Sequence, residues 1–152
     1  MGYWGHLVLV RCGAAPAEFG TDTEPVRDYA GGWRVYRAGG ESPDLPGAVR
    51  ALATRTGAPA LAVYVLDSDC AALVAATPDG PVWSTMLNPD LAEEYGAPRP
   101  DPGTDLDAAL RWAAGAGSTP DDAAVRAALT GTETFVEDQF FALLDALGFR
   151  AE

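Results

Sequence analysis

The side chains best suited to covalent or acid–base chemistry are the single histidine and the two cysteines. His6 lies in an apolar run predicted to be a strand, and Cys70 opens another predicted strand. An imidazole beside a thiol lowers the pKa of the thiol and accepts its proton, so His6 with Cys12 or Cys70 would make a nucleophilic centre. A free cysteine is more often a small buried hydrophobe, and a lone strand histidine is more often structural. The sequence favours the structural interpretation and does not say whether these residues meet.

Most other chemical motifs are missing from the sequence. A single histidine excludes zinc sites built on histidine pairs, and the absence of lysine excludes a phosphate loop. No serine stands in the G-x-S-x-G pattern of a nucleophile elbow. Asp67-Ser68-Asp69 begins like a calcium loop, but the sixth position is Ala72 and lacks the required glycine. We interpret these three residues as a polar hairpin turn, and we predict no metal, no cofactor and no catalytic residue.

Negative charge is the most distinctive property of the chain. Its 22 acidic and ten basic residues give a net charge of −12. This surplus argues against binding nucleic acid or an anionic membrane, since both need clustered cations. Helix capping and solubility explain many of the acidic positions, but their summed potential would also attract a basic protein partner. The candidate contacts for such a partner are Asp67, Asp69, Glu93, Glu94, Asp121, Asp122, Glu137 and Asp138.

Aromatic residues on predicted strands suggest a second kind of site. Trp4 and Trp83 lie in predicted strands, as His6 and Cys70 do, and these four residues could line a ligand pocket. Tryptophan more often fills a core, with its indole N–H bonded to a nearby acceptor. The pocket therefore stands as the alternative to the acidic surface.

Five segments are predicted to be strands because most of them are rich in valine, leucine and aromatic residues. They are Trp4–Arg11, Trp33–Arg37, Leu61–Leu66, Cys70–Ala76 and Val82–Leu87. Short polar connections join the last three, which predicts an antiparallel meander. The third and fourth are apolar on both faces, so we expect the centre of the sheet to be covered on both sides. The second alternates in polarity, which indicates an edge or half-exposed strand.

Capping residues and apolar periodicity predict three helices before the last one. The first begins at Ser42-Pro43 or at Asp44, ends at Gly57 and should cross between the second and third strands. The other two run from about Asp105 to Ala116 with Thr104 as cap, and from Thr119-Pro120-Asp121-Asp122 to Gly131.

The last helix has the clearest boundaries. Thr134 and Glu137 have the spacing of a capping box, in which each side chain bonds the backbone N–H of the other. Gly148 and Phe149 follow the apolar stripe as a Schellman ending requires. The stripe itself comprises Val136, Phe140, Leu143, Leu144 and Leu147.

These elements predict the α+β class: a mainly antiparallel sheet of about five strands, one crossover helix and three C-terminal helices. Residues 1–152 have the length of a single domain. A strand-rich part spans 1–95, a Pro-rich connection spans 96–104 and a helical subdomain spans 105–152. Residues 13–32 lack apolar periodicity, so we predict a long loop there.

Composition suggests a soluble protein of the cytoplasm. All ten basic residues are arginine and isoleucine is absent, which is typical of a GC-rich bacterial genome. The first residues lack the basic region of a signal peptide. The longest apolar run, residues 58–66, is far short of the ~20 residues that span a bilayer. Two cysteines without a secretory context indicate free thiols.

The sequence therefore predicts a non-enzymatic, acidic binding module for a basic protein partner, with an immunity or inhibitor protein as one concrete form. The alternative is a small-molecule pocket protein or a minor hydrolase that uses His6 and Cys70. The chain would act as a monomer, or as a homodimer through the edge of the second strand or the last helix.

Overall fold

A computed structural model describes residues 2–11, 15–39, 44–97 and 99–151. Within these residues, six strands form one antiparallel sheet in the order β2-β3-β1-β4-β5-β6. The strands are β1 (Gly5–Arg11), β2 (Thr23–Tyr29), β3 (Trp33–Ala38), β4 (Ala60–Leu66), β5 (Cys70–Ala76) and β6 (Trp83–Leu87). The helices are α1 (Leu45–Thr56), α2 (Pro89–Glu94), α3 (Pro102–Ala116), α4 (Asp122–Thr130) and α5 (Val136–Ala146), with a short 3-10 helix at Ala17–Phe19. The α+β class is confirmed, and the sheet has one strand more than predicted.

The extra strand, β2, lies in the segment that the sequence predicts to be a loop. It is an edge strand with mostly exposed side chains, so it needs no apolar face that periodicity could reveal. Its pairing with β3 is irregular between Pro25 and Arg27, which suits a proline that cannot donate to the ladder. The predicted second strand is β3, which pairs with β2 on one side and with β1 on the other. The prediction that this strand lies at an edge of the sheet is therefore wrong. In the described chain β3 thus offers no free edge for the predicted homodimer, and dimerisation through the last helix stays a prediction.

The sheet is covered on both faces, as the two apolar sides of β4 and β5 predict. Alternate residues of β1 illustrate this: Leu7 and Leu9 belong to one buried cluster, whereas Val8 and Val10 belong to the other. Helices α3, α4 and α5 pack on the first side, and α1 packs on the second. The predicted crossover is confirmed, because α1 connects β3 to β4 while β1 lies between these two strands.

Helix α1 has Asp44 as its N-cap residue, one of the two predicted starts, and the other, Ser42-Pro43, lies outside the described residues. The helix ends differ from prediction mainly before α3. That helix begins at Pro102 instead of Asp105, and its cap is Asp101, which accepts a hydrogen bond from the backbone N–H of Gly103. Thr104 is not the cap, since its hydroxyl donates to the Asp101 carboxylate. The predicted Pro-rich connection is therefore shorter. Helix α2 was not predicted, and it is only six residues long.

Helix α5 keeps its predicted C-terminal end but not its predicted N-terminal cap. The N–H of Phe149 donates to Leu144 and that of Gly148 to Asp145, both at 3.1 Å, which is a Schellman ending. The predicted capping box is wrong: the N-cap residue is Phe135, without a side-chain cap bond. Glu137 instead accepts a hydrogen bond from Ser68, on the turn between β4 and β5.

Candidate functional site

The turn between β4 and β5 is a tight hairpin connection, as interpreted from the sequence. Asp67 and Ser68 both have left-handed backbone conformations, with φ of 52° and 56°. The N–H of Asp69 closes the turn on the carbonyl oxygen of Leu66 at 2.9 Å. Two positive φ angles at the central positions give a twist that matches the flanking strands.

The N-terminal segment lies against one side of this turn. The N–H of Gly2 donates to Oδ1 of Asp67, and the N–H of Tyr3 donates to Oγ of Ser68, both at 2.7 Å. The N–H of Ser68 returns a bond to the carbonyl oxygen of Tyr3 at 3.0 Å. These bonds fix the backbone immediately before Trp4.

Two further segments meet the same turn. The first N–H of α5, on Val136, donates to the carbonyl oxygen of Ser68 at 2.9 Å, and the Ser68 hydroxyl donates to Oε2 of Glu137 at 2.9 Å. On the other side, the hydroxyl of Tyr95 donates to Oδ2 of Asp69 at 3.2 Å. Asn88 adds a bond from its side-chain amide to the carbonyl oxygen of Asp69 at 2.8 Å. The start of α5 and the ends of α2 are thus tied to one hairpin.

Six of the eight acidic residues singled out from the sequence lie in this turn or in the short segments that are bonded to it. We call this region the turn surface, and its carboxylates are Asp67, Asp69, Glu93, Glu94, Glu137 and Asp138. The other two, Asp121 and Asp122, lie elsewhere: the N–H of Asp121 bonds the carbonyl oxygen of Ala146, at the far end of α5. An eleven-residue helix is about 16 Å long, so the eight residues form two separate groups.

Arginine neutralises little of the turn surface. Among the residues that the structure describes, Arg99 is the cation paired with it, bonding Glu93 at 2.7 Å and also Asp90. The remaining five carboxylates of the turn surface form no ion pair within the described ranges. Oε1 of Glu137 is buried and lacks a hydrogen-bond partner among those residues. The turn surface therefore carries a local excess of negative charge.

Three exposed aromatic residues lie on the segments that are bonded to the turn. Trp4, Tyr95 and Phe135 are 49%, 44% and 53% exposed, and they are three of the four large apolar residues found exposed in the described chain. Tyr95 is itself bonded to residue 69. Trp4 follows a residue that is bonded to Ser68, and Phe135 precedes one. Sequence reasoning missed Tyr95 and Phe135 because neither belongs to a periodic apolar stripe. The one available signal is their position next to helix ends rich in acidic residues.

His6 and Cys70 lie on the same face of the sheet but are not neighbours. His6 is opposite Tyr64 on β4, which is opposite Ala72 on β5, and Cys70 is two residues further along β5. Strand spacing places their Cα atoms about 12 Å apart. The ring of His6 packs instead against Phe19 and Tyr64, with centroid separations of 5.2 and 4.9 Å. Cys12, the other predicted thiol, lies outside the described residues.

Burial shifts the pKa of both groups away from a reactive state. Burial lowers the pKa of His6, and a smaller effect of the Ala38 backbone raises it. Neither ring nitrogen of His6 makes a hydrogen bond within the described residues. Burial, with a smaller contribution from Asp69, raises the pKa of Cys70 to about 11. A nucleophilic thiol needs the opposite shift.

The two tryptophans of the predicted pocket are also separated. Trp4 is exposed and precedes β1. Trp83 is half-buried on the side of the sheet covered by α3, where its indole Nε1 donates to Asp105 at 3.0 Å. Trp83 lines a cavity of about 160 Å³ with Trp112 and Arg111, and Trp4, His6 and Cys70 do not reach that cavity. The structure thus does not gather the four pocket candidates.

Metal-binding groups and membrane-spanning helices are absent from the described residues. In the described ranges, histidine, cysteine and carboxylate side chains form no group of three or more that could hold a metal ion. None of the helices in those ranges combines the length and apolar character needed to cross a bilayer. Comparison with known proteins finds no matching family model, no similar curated protein and no similar solved structure.

Proposed function

We propose that this protein is a binding module that recognises a basic protein partner through the turn surface. The observation that carries the proposal is the convergence of three distant segments on residues 67–69. The turn and these segments together carry six carboxylates and three exposed aromatic residues. Exposed aromatic residues are enriched among the anchors of protein interfaces. Unneutralised carboxylates favour a partner of opposite charge and speed its association.

A net charge of −12 supports the same partner class. Neutralisation of a cationic toxin by an immunity-type or inhibitor-type protein is one form that this function could take. A hydrolase based on His6 and Cys70 is less well supported, because the two side chains are not neighbours and the thiol pKa is raised.

The test begins with affinity capture on the immobilised chain at about 50 mM and about 500 mM salt, where electrostatic screening lengths differ about threefold. Captured proteins are identified by mass spectrometry, and the dissociation constant of the purified partner is measured against ionic strength. We expect a basic partner whose affinity falls steeply with salt.

Charge-neutral variants locate the contact. Glu94→Gln with Asp138→Asn removes two charges from the turn surface. The matched control, Asp79→Asn with Asp122→Asn, removes two exposed charges away from it. Asp122 and Asp138 both lie in the first turn of a helix, so any effect on the helix dipole is similar. The first pair should weaken binding and the second should not. A partner without excess positive charge, or equal effects of the two pairs, would contradict the proposal.

A further inference from the structure

We infer that the turn surface selects arginine over lysine in its partner, because the half-exposed aromatic residues Trp4, Tyr95 and Phe135 lie on the segments that are bonded to this acidic turn. This inference rests on the proposed function and names the chemistry of the group that is recognised.

Hydrogen bonds to the turn fix the backbone next to Trp4 and Phe135 and the hydroxyl of Tyr95. Trp4 follows Tyr3, whose N–H and carbonyl are both bonded to Ser68. Phe135 precedes Val136, whose N–H is bonded to the carbonyl oxygen of Ser68. Tyr95 is held through its hydroxyl on Asp69. All three are between 44% and 53% exposed, so a partner side chain can reach them.

Charge decides which occupant fits these rings. An uncharged apolar partner would leave the surrounding carboxylates to be desolvated without a counter-charge, which is unfavourable. A cationic partner satisfies them, and of the two cations arginine fits better. The planar guanidinium stacks on an aromatic face and can bond a carboxylate through two parallel N–H groups, whereas the lysine ammonium is a strongly hydrated point charge.

The chain already shows this kind of contact within itself. The guanidinium carbon of Arg27 lies 4.2 Å from the centroid of the Phe141 ring. The corresponding faces of Trp4, Tyr95 and Phe135 carry no arginine from the described part of the chain. About half of each of these residues is exposed, so an arginine from another molecule can reach them.

Two labelled peptides test the inference: one of alternating arginine and glycine, and its lysine counterpart of equal length and charge. Fluorescence anisotropy at low salt gives the dissociation constant of each for the full chain. Exposed cation–π contacts correspond to roughly two- to fivefold in affinity each, so we expect the arginine peptide to bind at least about threefold more tightly. Trp4→Ser and Tyr95→Ser should reduce that preference toward one.

Two control variants separate the rings from other effects. Val26→Ser alters the fourth exposed apolar residue, on β2, which lines a cavity with Glu137 but has no aromatic ring, and it should leave the preference unchanged. Tyr95→Phe keeps the ring, loses the bond to Asp69 and should retain the preference. Equal affinities for the two peptides, or ring variants that behave like Val26→Ser, would overturn the inference while leaving salt-dependent binding intact. If neither peptide binds at low salt, both the inference and the proposed function fail.

Discussion

The hydroxyl of Ser68 donates to the carboxylate of Glu137 at 2.9 Å and joins the β4–β5 hairpin to the first turn of α5. The same oxygen accepts the N–H of Tyr3 at 2.7 Å, so one buried side chain links three parts of the chain. The arrangement fixes the geometry of the turn surface, because each of its flanking segments bonds directly to residues 67–69. Rigidity of this kind reduces the ordering cost of binding.

Replacement of Ser68 by alanine should destabilise the protein. The variant leaves the N–H of Tyr3 without its acceptor and removes the one hydrogen bond that the Glu137 carboxylate accepts among the described residues. Unsatisfied buried polar groups cost about 1–3 kcal/mol, and we expect a loss of that size in the free energy of unfolding measured with urea. Ser84→Ala, at an exposed position on β6, is the control and should change stability little. Equal stabilities of the two variants would contradict this role of Ser68.

Asp105 should stabilise the contact between α3 and the edge of the sheet. Its carboxylate is buried and accepts hydrogen bonds from the Trp83 indole at 3.0 Å and the Thr85 hydroxyl at 2.5 Å. Asp105→Ala removes both acceptors, and we expect a loss of about 2–4 kcal/mol in unfolding free energy, since bonds to charged groups contribute about 1.5–3 kcal/mol each and are not additive.

Asp105→Asn gives a graded comparison for the same site. The amide keeps one oxygen acceptor at nearly the same volume, so the variant should lose clearly less stability than Asp105→Ala. Unfolding followed by tryptophan fluorescence measures both. If the alanine variant is as stable as the unchanged chain, Asp105 does not hold α3 in place.

The sequence predicted elements whose signal is local and missed those whose position depends on contacts across the fold. Apolar runs such as Leu61–Leu66 identified buried strands, and Gly148 identified the end of α5, because each depends on neighbouring residues alone. Strand β2 was missed because an exposed edge strand held by its partner needs no apolar pattern. The capping box was wrong because the helix begins one residue later, with Phe135 as N-cap, and Glu137 bonds Ser68 on another part of the fold.

In the candidate site, too, the residue types could be predicted from the sequence, whereas their relative positions could not. Its eight acidic residues were identified from charge, but their separation into two groups follows from sheet order and helix docking, which one sequence does not reveal. Likewise, the spacing between His6 and Cys70 depends on β4 lying between their strands.

His6 should make the protein less stable in mild acid. Burial lowers its pKa below the ordinary value of 6.5 in the folded state, so below that pH the unfolded chain binds the extra proton first. The contribution of neutral His6 to the free energy of unfolding is therefore fully present above about pH 6.5, and it is lost as the pH decreases towards the folded pKa. Urea unfolding at about pH 7.5 and about pH 5.5 should show the decrease.

The single histidine makes the control for this prediction simple. His6→Leu fills a similar apolar space beside Phe19 and Tyr64 and has no titrating group near neutrality. The variant should lose most of the stability difference between the two pH values. If the unchanged chain is equally stable at both, or if the leucine variant keeps the full difference, another group is responsible.

Cys70 should be unreactive in the folded protein and reactive once the protein unfolds. Its side chain is fully buried and its thiol pKa is raised to about 11, mainly by burial, so thiolate is scarce at neutral pH. In a Cys12→Ser background Cys70 is the only thiol of the chain, and labelling by a disulfide reagent reports on it alone. We expect slow labelling at pH near 8, where an ordinary thiol reacts readily, and rapid labelling of one thiol in urea. Rapid labelling of the native chain would show that Cys70 is accessible and ionised, and it would favour the hydrolase alternative over a structural role for this residue.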